Sequence, residues 1–225
     1  MDDVKDRIGQ AAALLVEDGM VIGLGTGSTA SCFIRALAKR FEDEGLNIVT
    51  VASSHASEKL ARDLGLPSVS IDAIETIDIT FDGADELDPE KQMIKGAGGA
   101  LLKEKILATS SREFVVMVDE SKLVKTLGTV KLPVEVVQFA HRLTQKKLSQ
   151  FASSTVLRMR SDGNPYVTDS GNFIYDLQLN LPIANIEALD TAIGHIAGVV
   201  DTGFFYKIAG RTIIGNKDGT IKIIS

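Results

Sequence analysis

The sequence predicts an α/β protein with a Rossmann-like, mostly parallel sheet domain and a second, smaller α+β domain. Short apolar runs alternate with helical patterns over the first half of the chain, the pattern changes after Leu132, and the last stretch again reads as two short strands. Strands that alternate with helices favour a parallel sheet covered on both faces. We therefore expect residues 1–131 and 205–225 to form the α/β domain and residues 132–204 to form the small domain.

The elements of the larger domain follow from the spacing of its apolar residues. Apolar side chains recur at helical spacing from Val4 to Leu15, and the run MVIGL after Gly19 reads as a buried strand. The pattern then predicts, in order, a helix from Ala30 to Phe41, a strand at NIVTVA, a helix at ASEKLARDL, a strand at ETIDITF, a helix at ALLKEKILA and a strand at EFVVMV.

The small domain has a different texture. It is predicted to contain the strand PVEVV, the helix AHRLTQKKL, the strand TVLRMR, the hairpin YVTDSGNFIYDLQL with its turn at Asp169 to Asn172, and the helix NIEALDTAIGHI. The tail RTIIGNKDGTIKII reads as two short strands about an Asp-Gly turn. We expect this tail to return to the larger domain.

Charge and hydropathy exclude several classes of function. The 225-residue chain has a formal net charge of −6, and its lysines and arginines are scattered rather than clustered. A nucleic acid backbone would be repelled on balance, whereas a small anion can still be held by a few local cations. No apolar run reaches the length of a membrane span. We therefore expect neither a nucleic-acid partner nor a membrane partner.

Cysteine usage and the first residues indicate the compartment. Cys32 is the only cysteine, so neither an intrachain disulfide nor a zinc site built from several cysteines is possible. The opening MDDVKDRIGQ is acidic and lacks the pattern of a secretory signal. A cytoplasmic location is expected.

A glycine-rich turn, Gly23-Leu24-Gly25-Thr26-Gly27-Ser28-Thr29, joins the first strand to the next helix. Glycines let a phosphate approach the backbone, and a helix N-terminus favours negative charge. The alternative is a tight turn in which Ser28 or Thr29 caps the helix. Ser28 replaces the third glycine of a dinucleotide fingerprint, and Ala52-Ser53-Ser54 ends the next strand without an acid. A nicotinamide cofactor is therefore disfavoured.

Two carboxylates follow the strand IDITF in the segment Asp82-Gly83-Ala84-Asp85. Open α/β sheets bind ligands at the carboxyl ends of their strands, so this segment is a candidate site. The alternative is a solvated acidic turn that caps the next element. The later segment Lys95-Gly96-Ala97-Gly98-Gly99 is again small and flexible, which leaves room for a substrate.

Glu104 is the candidate base. It lies one helical turn after Ala100 and one turn before Ala108, on a stripe of small apolar residues. Removing water from a carboxylate raises its affinity for protons and suits it to take a proton from carbon. The alternative is a solvated glutamate paired with Lys103 or Lys105.

The segments GLGTGSTA, DGADE, KGAGGALLKEK and DESKLV, in this order and with these gaps, resemble the A-type ribose-5-phosphate isomerase family over essentially the full chain. LPVEVV, GNFIYDL and DTGFF are similar to that family's small domain and its return crossing. The resemblance implies an aldose–ketose isomerase that interconverts D-ribose 5-phosphate and D-ribulose 5-phosphate in the non-oxidative pentose phosphate pathway. It implies a cis-enediolate intermediate and a glutamate base, and we expect no cofactor and no metal ion.

The resemblance also implies roles at matching positions. Glu104 matches the general base. Asp82, Asp85 and Lys95 match residues that bind the sugar's oxygens, and Asp82 is the candidate acid for opening the sugar ring. The remaining implied substrate contacts are the phosphate-side loop, two phosphate-neutralising cations, and small residues beside the sugar: Thr26, Gly27, Ser28, Thr29, Lys5, Lys122, Gly83, Ala84, Gly96, Ala97 and Gly98. The last loop departs from the order of small residues that is common in the family, which changes the amides it can offer.

Three other readings remain open from the residues alone. Metal-assisted isomerisation has little support, because His55, His141 and His195 are isolated in the sequence. A non-catalytic sugar-phosphate sensor would normally add a DNA-binding helix pair, and a CoA transferase-like enzyme would expose a glutamate nucleophile. The resemblance implies an oligomer, and since symmetric assembly is the default for soluble oligomers, we expect a homodimer or homotetramer.

Overall fold

The computed structural model describes residues 2–225. Its helices are α1 (Asp2–Ala13), α2 (Ser28–Glu44), α3 (His55–Asp63), α4 (Leu101–Ser110), α5 (His141–Leu148) and α6 (Ile186–Gly194). Its strands are β1 (Val21–Leu24), β2 (Val49–Ala52), β3 (Ile77–Gly83), β4 (Glu86–Leu87), β5 (Met93–Ile94), β6 (Ser111–Asp119), β7 (Leu132–Val136), β8 (Ala152–Leu157), β9 (Phe173–Leu179), β10 (Val199–Thr202), β11 (Phe204–Phe205), β12 (Thr212–Gly215) and β13 (Ile221–Ile224).

The chain divides into two compact units. The first unit comprises the chain up to Ala84, Lys103–Leu123 and Lys207–Ser225, and the second comprises Asp85–Leu102 and Val124–Tyr206. Within the described residues, no helix has both the length and the apolar composition needed to cross a membrane.

A six-stranded sheet with the order β13-β12-β6-β3-β1-β2 forms the centre of the first unit. Every neighbouring pair is parallel except β12 and β13, which form an antiparallel pair at one edge. The predicted mostly parallel sheet is therefore confirmed, and so is the return of the tail, since β12 pairs with β6. The predicted helices and strands of this part are all present.

Apolar side chains from helices and strands form one core in the first unit. Ile8 of α1 and Phe33 and Leu37 of α2 pack in the same buried cluster as Phe81 of β3 and Met117 of β6. The rings of Phe33 and Phe81 lie 4.3 Å apart, centre to centre. Burial of each such side chain contributes about 1.5–3 kcal/mol to the stability of the fold. The apolar stripe predicted for α2 is therefore the face of that helix that packs on the sheet.

The strand order places β1 at the point where the chain changes direction across the sheet. From β1 the chain passes to β2 on one side, and β3 lies on the other side. In open α/β sheets the crevice at such a switch point, beyond the carboxyl ends of the strands, receives ligands. The loop after β1 and the end of β3 are therefore placed where a ligand is expected.

Two antiparallel sheets, of order β10-β7-β9-β8 and β11-β5-β4, build the second unit. Their core contains Leu132, Val134, Tyr175 and Leu177. The predicted hairpin is present only in part, because its first arm is reduced to a single bridge between Val167 and Phe173. The strands β4, β5, β10 and β11 were not predicted. β4, β5 and β11 have two residues each, which are too few to show a period, and β10 has apolar residues only in its first half.

Candidate functional site

The end of β3 is joined to the loop after β1 through Asp82. Oδ1 of Asp82 accepts hydrogen bonds from the backbone N–H groups of Thr26, at 3.1 Å, and Gly83, at 2.7 Å. The N–H of Gly25 also donates to the carbonyl oxygen of Phe81, at 2.9 Å. Only 1% of the Asp82 surface is exposed. The alternative of a solvated acidic turn is therefore wrong.

Two glycines of the loop are needed for different reasons. A Cβ atom on Gly25 would lie 2.2 Å from Cγ of Asp82, so only glycine admits the carboxylate here. Gly27 has φ of 105° and is the residue before α2, with no side-chain capping bond. Positive φ is tolerated by glycine. The alternative in which Ser28 or Thr29 caps the helix is wrong, because the helix already begins at Ser28.

A cluster of hydroxyl groups supports the loop from the end of β2. The hydroxyl of Thr26 lies 2.7 Å from Oγ of Ser53 and 2.9 Å from Oγ of Ser54, and Ser57 donates to the carbonyl oxygen of Gly25, at 2.6 Å. Sequence reasoning missed this role of the three serines. The signal was their position, since they follow a strand that neighbours β1.

Lys5 and Lys122 lie at the carboxyl end of the parallel strands, where the loop after β1 also lies. Nζ of Lys5 donates to Oγ of Ser28, at 2.8 Å. Lys122 closes the 3-10 turn Glu120–Lys122 that follows β6. Burial tends to raise the pKa of Asp119, but hydrogen bonds from Ser121 and the charges of Lys122 and Lys5 outweigh it and lower that pKa. Both predicted cations therefore act on the same carboxylate.

Glu104 belongs to the first turn of α4, and only 3% of its surface is exposed. The helix is fixed on the sheet by Leu107, which packs against Val51 and Ile77. The predicted desolvated carboxylate is thus observed, and the alternative of a solvated glutamate is wrong. Glutamate side chains are rarely this fully buried, which makes Glu104 a candidate for a functional role.

In the second unit, Asp85 and Lys95 are held by neighbouring backbone. The N–H of Asp85 donates to the carbonyl oxygen of Ile94, at 2.8 Å, and the N–H of Lys95 donates to that of Gly203, at 2.9 Å. Lys95 is 3% exposed, with Nζ 5.3 Å from the ring centre of Phe205. An ammonium group over an aromatic face is attracted by the ring's quadrupole. This contact helps to stabilise the charge of Lys95 at its buried position.

The segment from Gly96 to Gly99 forms a turn held by side chains that sequence reasoning missed. The N–H of Gly99 donates to the carbonyl oxygen of Gly96, at 3.0 Å. Nη1 of Arg158 donates to the carbonyl oxygens of Gly96, at 3.0 Å, and Ala97, at 3.1 Å. Nothing in the sequence indicates this contact, because Arg158 is 62 residues beyond Gly96.

The structure therefore distributes the predicted site residues over both units. In the first unit it links Thr26, Asp82 and Gly83 by hydrogen bonds and Lys5 to Ser28. The first unit also contains Gly27, Thr29, Ala84, Glu104 and Lys122, and the second contains Asp85, Lys95, Gly96, Ala97 and Gly98. Among the side chains that the structure describes, from residue 3 to residue 225, no three His, Cys, Asp or Glu side chains are grouped as metal ligands would be.

Sequence comparisons identify one family. Residues 49–219 match the family model of ribose 5-phosphate isomerase A (phosphoriboisomerase A). The ribose-5-phosphate isomerase A of Bacillus mycoides is 45% identical over 219 residues, which cover 97% of this chain and 98% of the relative. That of Protochlamydia amoebophila is 46% identical over 220 residues, which cover 96% of this chain and 94% of the relative.

Solved structures give the same result. Ribose 5-phosphate isomerase A from Methanocaldococcus jannaschii superposes with a TM-score of 0.93 at 41% identity, over 99% of this chain and 98% of that chain. A D-ribose-5-phosphate isomerase in complex with phospho-erythronic acid superposes with a TM-score of 0.95 at 36% identity, over 100% and 99%.

Proposed function

The chain belongs to the ribose 5-phosphate isomerase A family and is an isomerase, and from this premise we propose that Glu104 is the base of its reaction. The substrate pair is D-ribose 5-phosphate and D-ribulose 5-phosphate, in the non-oxidative pentose phosphate pathway. The observation that carries the proposal is the burial of Glu104, 3% exposed, on a helix that begins directly after the Lys95–Gly99 segment.

The proposed reaction moves one proton between neighbouring carbons. The Glu104 carboxylate takes the proton from C2 of the open-chain aldose, and the electron pair moves toward the C1 carbonyl to form a cis-enediolate. The same carboxyl returns the proton to C1, and the hydroxyl proton on the C2 oxygen moves to the C1 oxygen, so that C2 becomes the ketone and C1 carries the new hydroxyl group. A positioned base of this kind contributes about 10²–10⁴ in rate.

The sugar's oxygens are proposed to bind Asp82, Asp85 and Lys95. Asp82 and Asp85 are three residues apart, so the chain alone keeps their Cα atoms within about 11 Å. The Lys95 ammonium can steady negative charge on an enediolate oxygen, and removal of one such donor costs about 10²–10³ in kcat in a comparable site. Asp82 is proposed to give or take the ring-oxygen proton when the furanose opens.

The phosphate is proposed to bind the loop from Thr26 to Thr29 at the start of α2. Backbone N–H groups at a helix N-terminus bind anions, and Gly27 and Ser28 are exposed there. Lys5 and Lys122 supply positive charge at the same end of the sheet. Contacts to a group remote from the reacting carbons supply binding energy that orients the substrate.

We further propose a cytoplasmic homodimer or homotetramer whose reaction requires neither cofactor nor metal. Light scattering at micromolar concentration tests the assembly, and a monomer would refute it. Assays after exhaustive chelation test the metal requirement, and activity that returns only with an added divalent ion would overturn that part.

The function is tested by mixing the protein with ribose 5-phosphate and following ketose formation. Wild-type protein is expected to form ribulose 5-phosphate, and Glu104→Gln is expected to form it at least about 10²-fold more slowly. A wild-type protein that forms no ketose would refute the proposed function. A fully active Glu104→Gln variant would leave the isomerase in place and refute the base.

A further inference from the structure

We propose that Arg158 is a positioning residue for this reaction and that it acts on Asp85 through one peptide group. The inference rests on the proposed function, because it concerns how Asp85 is held while the sugar binds. All of the residues that carry it lie in the second unit.

Three groups form a continuous chain of hydrogen bonds. Nη1 of Arg158 donates to the carbonyl oxygen of Gly96, at 3.0 Å. The N–H of Ala97 belongs to the same peptide group and donates to Oδ2 of Asp85, at 2.9 Å. Arg158 therefore touches one end of a peptide group whose other end holds the Asp85 carboxylate.

The guanidinium is itself fixed by a second carboxylate. Nε of Arg158 donates to Oδ2 of Asp176, at 2.9 Å, and Nη2 donates to Oδ1 of the same carboxylate. Asp176 belongs to β9, and Arg158 directly follows β8, the neighbouring strand of the same sheet. The two sides of the guanidinium thus serve different partners. A lysine has a single ammonium without this fork and cannot reproduce both contacts.

These contacts have two consequences for Asp85. A charged donor on a carbonyl oxygen polarises the peptide group, so the N–H of Ala97 becomes a better donor to the carboxylate. Arg158 also occupies the carbonyl oxygen of Ala97, at 3.1 Å, which fixes two successive peptide groups of the turn. Without Arg158, the peptide group whose N–H donates to Asp85 would be held less firmly, and the Asp85 carboxylate would lose part of its fixed orientation.

Arg160 provides a matched control two residues away. Its guanidinium carbon and that of Arg158 both lie 6.0 Å from the ring centre of Tyr166. Arg160 is exposed and carries the same charge. An effect of general charge or of stacking on Tyr166 would therefore appear in both variants, whereas an effect of the peptide contact appears only in Arg158 variants.

The first measurement compares kcat and KM. Arg158→Ala is expected to lower kcat about ten- to a hundredfold, the loss typical of a small misplacement of a reacting group, with KM changed less than about threefold. Millimolar guanidine hydrochloride should restore part of the kcat, and Arg160→Ala should match the wild type. Equal kcat for the two alanine variants would overturn the proposal.

The second measurement is a double-mutant cycle with Asp85→Asn. If Arg158 acts through Asp85, Arg158→Ala should cost less than about threefold in kcat when Asp85 is already replaced. Full additivity would contradict the relay and reduce Arg158 to a structural residue. If Arg158→Ala does not fold, Arg158→Lys and Asp176→Asn take its place in the same cycle, with folding checked by thermal unfolding.

Failure of the proposed function would be distinguishable. A wild-type protein without isomerase activity refutes that function, and the cycle is then measured on the Kd for phospho-erythronic acid. Coupling of Arg158 and Asp85 in that Kd supports the relay, whereas additive effects overturn it.

Discussion

Oδ1 of Asp82 accepts a hydrogen bond of 3.1 Å from the backbone N–H of Thr26, so one carboxylate joins the end of β3 to the loop after β1. The same oxygen accepts a bond from the N–H of Gly83, at 2.7 Å. The carboxylate proposed to open the sugar ring therefore also holds the loop that is proposed to bind the phosphate. A substitution in that loop should affect Asp82, and a substitution of Asp82 should affect the loop.

Gly25→Ala tests this junction. The new Cβ would lie 2.2 Å from Cγ of Asp82 and must displace the carboxylate. Overpacking of this kind costs about 1–3 kcal/mol, so we expect a lower Tm and a loss of at least about tenfold in kcat/KM. Gly194→Ala is the matched control, since a Cβ there has nothing within 4 Å. Equal activity of both variants would show that Asp82 tolerates displacement.

The sequence predicted the parts of the fold whose signal is local. β1, β3 and β6 are apolar runs long enough to recognise, and the stripe of Phe33 and Leu37 predicted the buried face of α2. The assignment of residues 132–204 as a separate domain stays a prediction.

Contacts between distant parts of the chain could not be predicted in the same way. Arg158 reaches a carbonyl 62 residues away, and Thr26 meets Ser53 at a separation of 27 residues. The Arg158 contact leaves no pattern in the sequence, because a hydrogen bond to a backbone oxygen places no demand on the residue type that carries the oxygen. The Thr26–Ser53 contact joins two side-chain hydroxyls, and its one signal is the position of Ser53 after a strand that neighbours β1. Sequence motifs identify the residues with proposed chemical roles. The side chains that hold those residues in place can be identified only from the folded structure.

Glu104→Gln should abolish most of the turnover without abolishing binding. The amide preserves the shape of the side chain but cannot accept a proton from carbon, so kcat should fall at least about 10²-fold. Calorimetric titration with phospho-erythronic acid should still show binding. Glu75→Gln, at an exposed position, should behave as the wild type. Near-normal turnover of Glu104→Gln would make Glu104 a structural residue.

Lys122→Ala should act mainly on KM. A phosphate contact is made equally in the ground state and the transition state, so its loss weakens binding without slowing the chemistry. Hydrogen bonds to charged groups contribute about 1.5–3 kcal/mol, which corresponds to a rise in KM of at least about tenfold. Lys125→Ala, at an exposed position nearby, is the control. A change confined to kcat would move Lys122 to the reacting carbons.

Acid should weaken the first unit through the ion pair of Glu113 and Arg211. Two hydrogen bonds from the Arg211 guanidinium, each 2.7 Å long, lower the pKa of Glu113 against the opposing effect of burial. A lowered pKa in the folded state gives stability that is present above the unfolded value of about 4.3 and is lost as the pH falls through the folded value.

Urea unfolding between pH 6 and pH 3 measures this effect. The Glu113→Gln variant should be less stable than the wild type at pH 6, and the difference should shrink as the pH falls. Glu75→Gln, which replaces an exposed carboxylate, should keep the wild-type slope. A difference that stays constant with pH would show that Glu113 contributes by packing alone.

Asp82→Asn separates the role of the carboxylate in structure from its role in chemistry. The asparagine Oδ1 can still accept the hydrogen bonds of Thr26 and Gly83, but the side chain can neither accept nor deliver a proton at working pH. The loop should therefore persist, and an unchanged Tm would confirm that it does.

If Asp82 opens the furanose ring, the variant should be much slower on ribose 5-phosphate, whose major form is cyclic. Ribulose 5-phosphate cannot close a five-membered ring through its phosphorylated oxygen, so its conversion should be slowed less. The comparison must use the first turnover with enzyme in excess, because the fixed equilibrium constant forces the two overall kcat/KM values to change together. Equal losses in the two directions would place Asp82 in the shared proton transfer. No loss in either direction would leave Asp82 only the hydrogen bonds that join β3 to the loop.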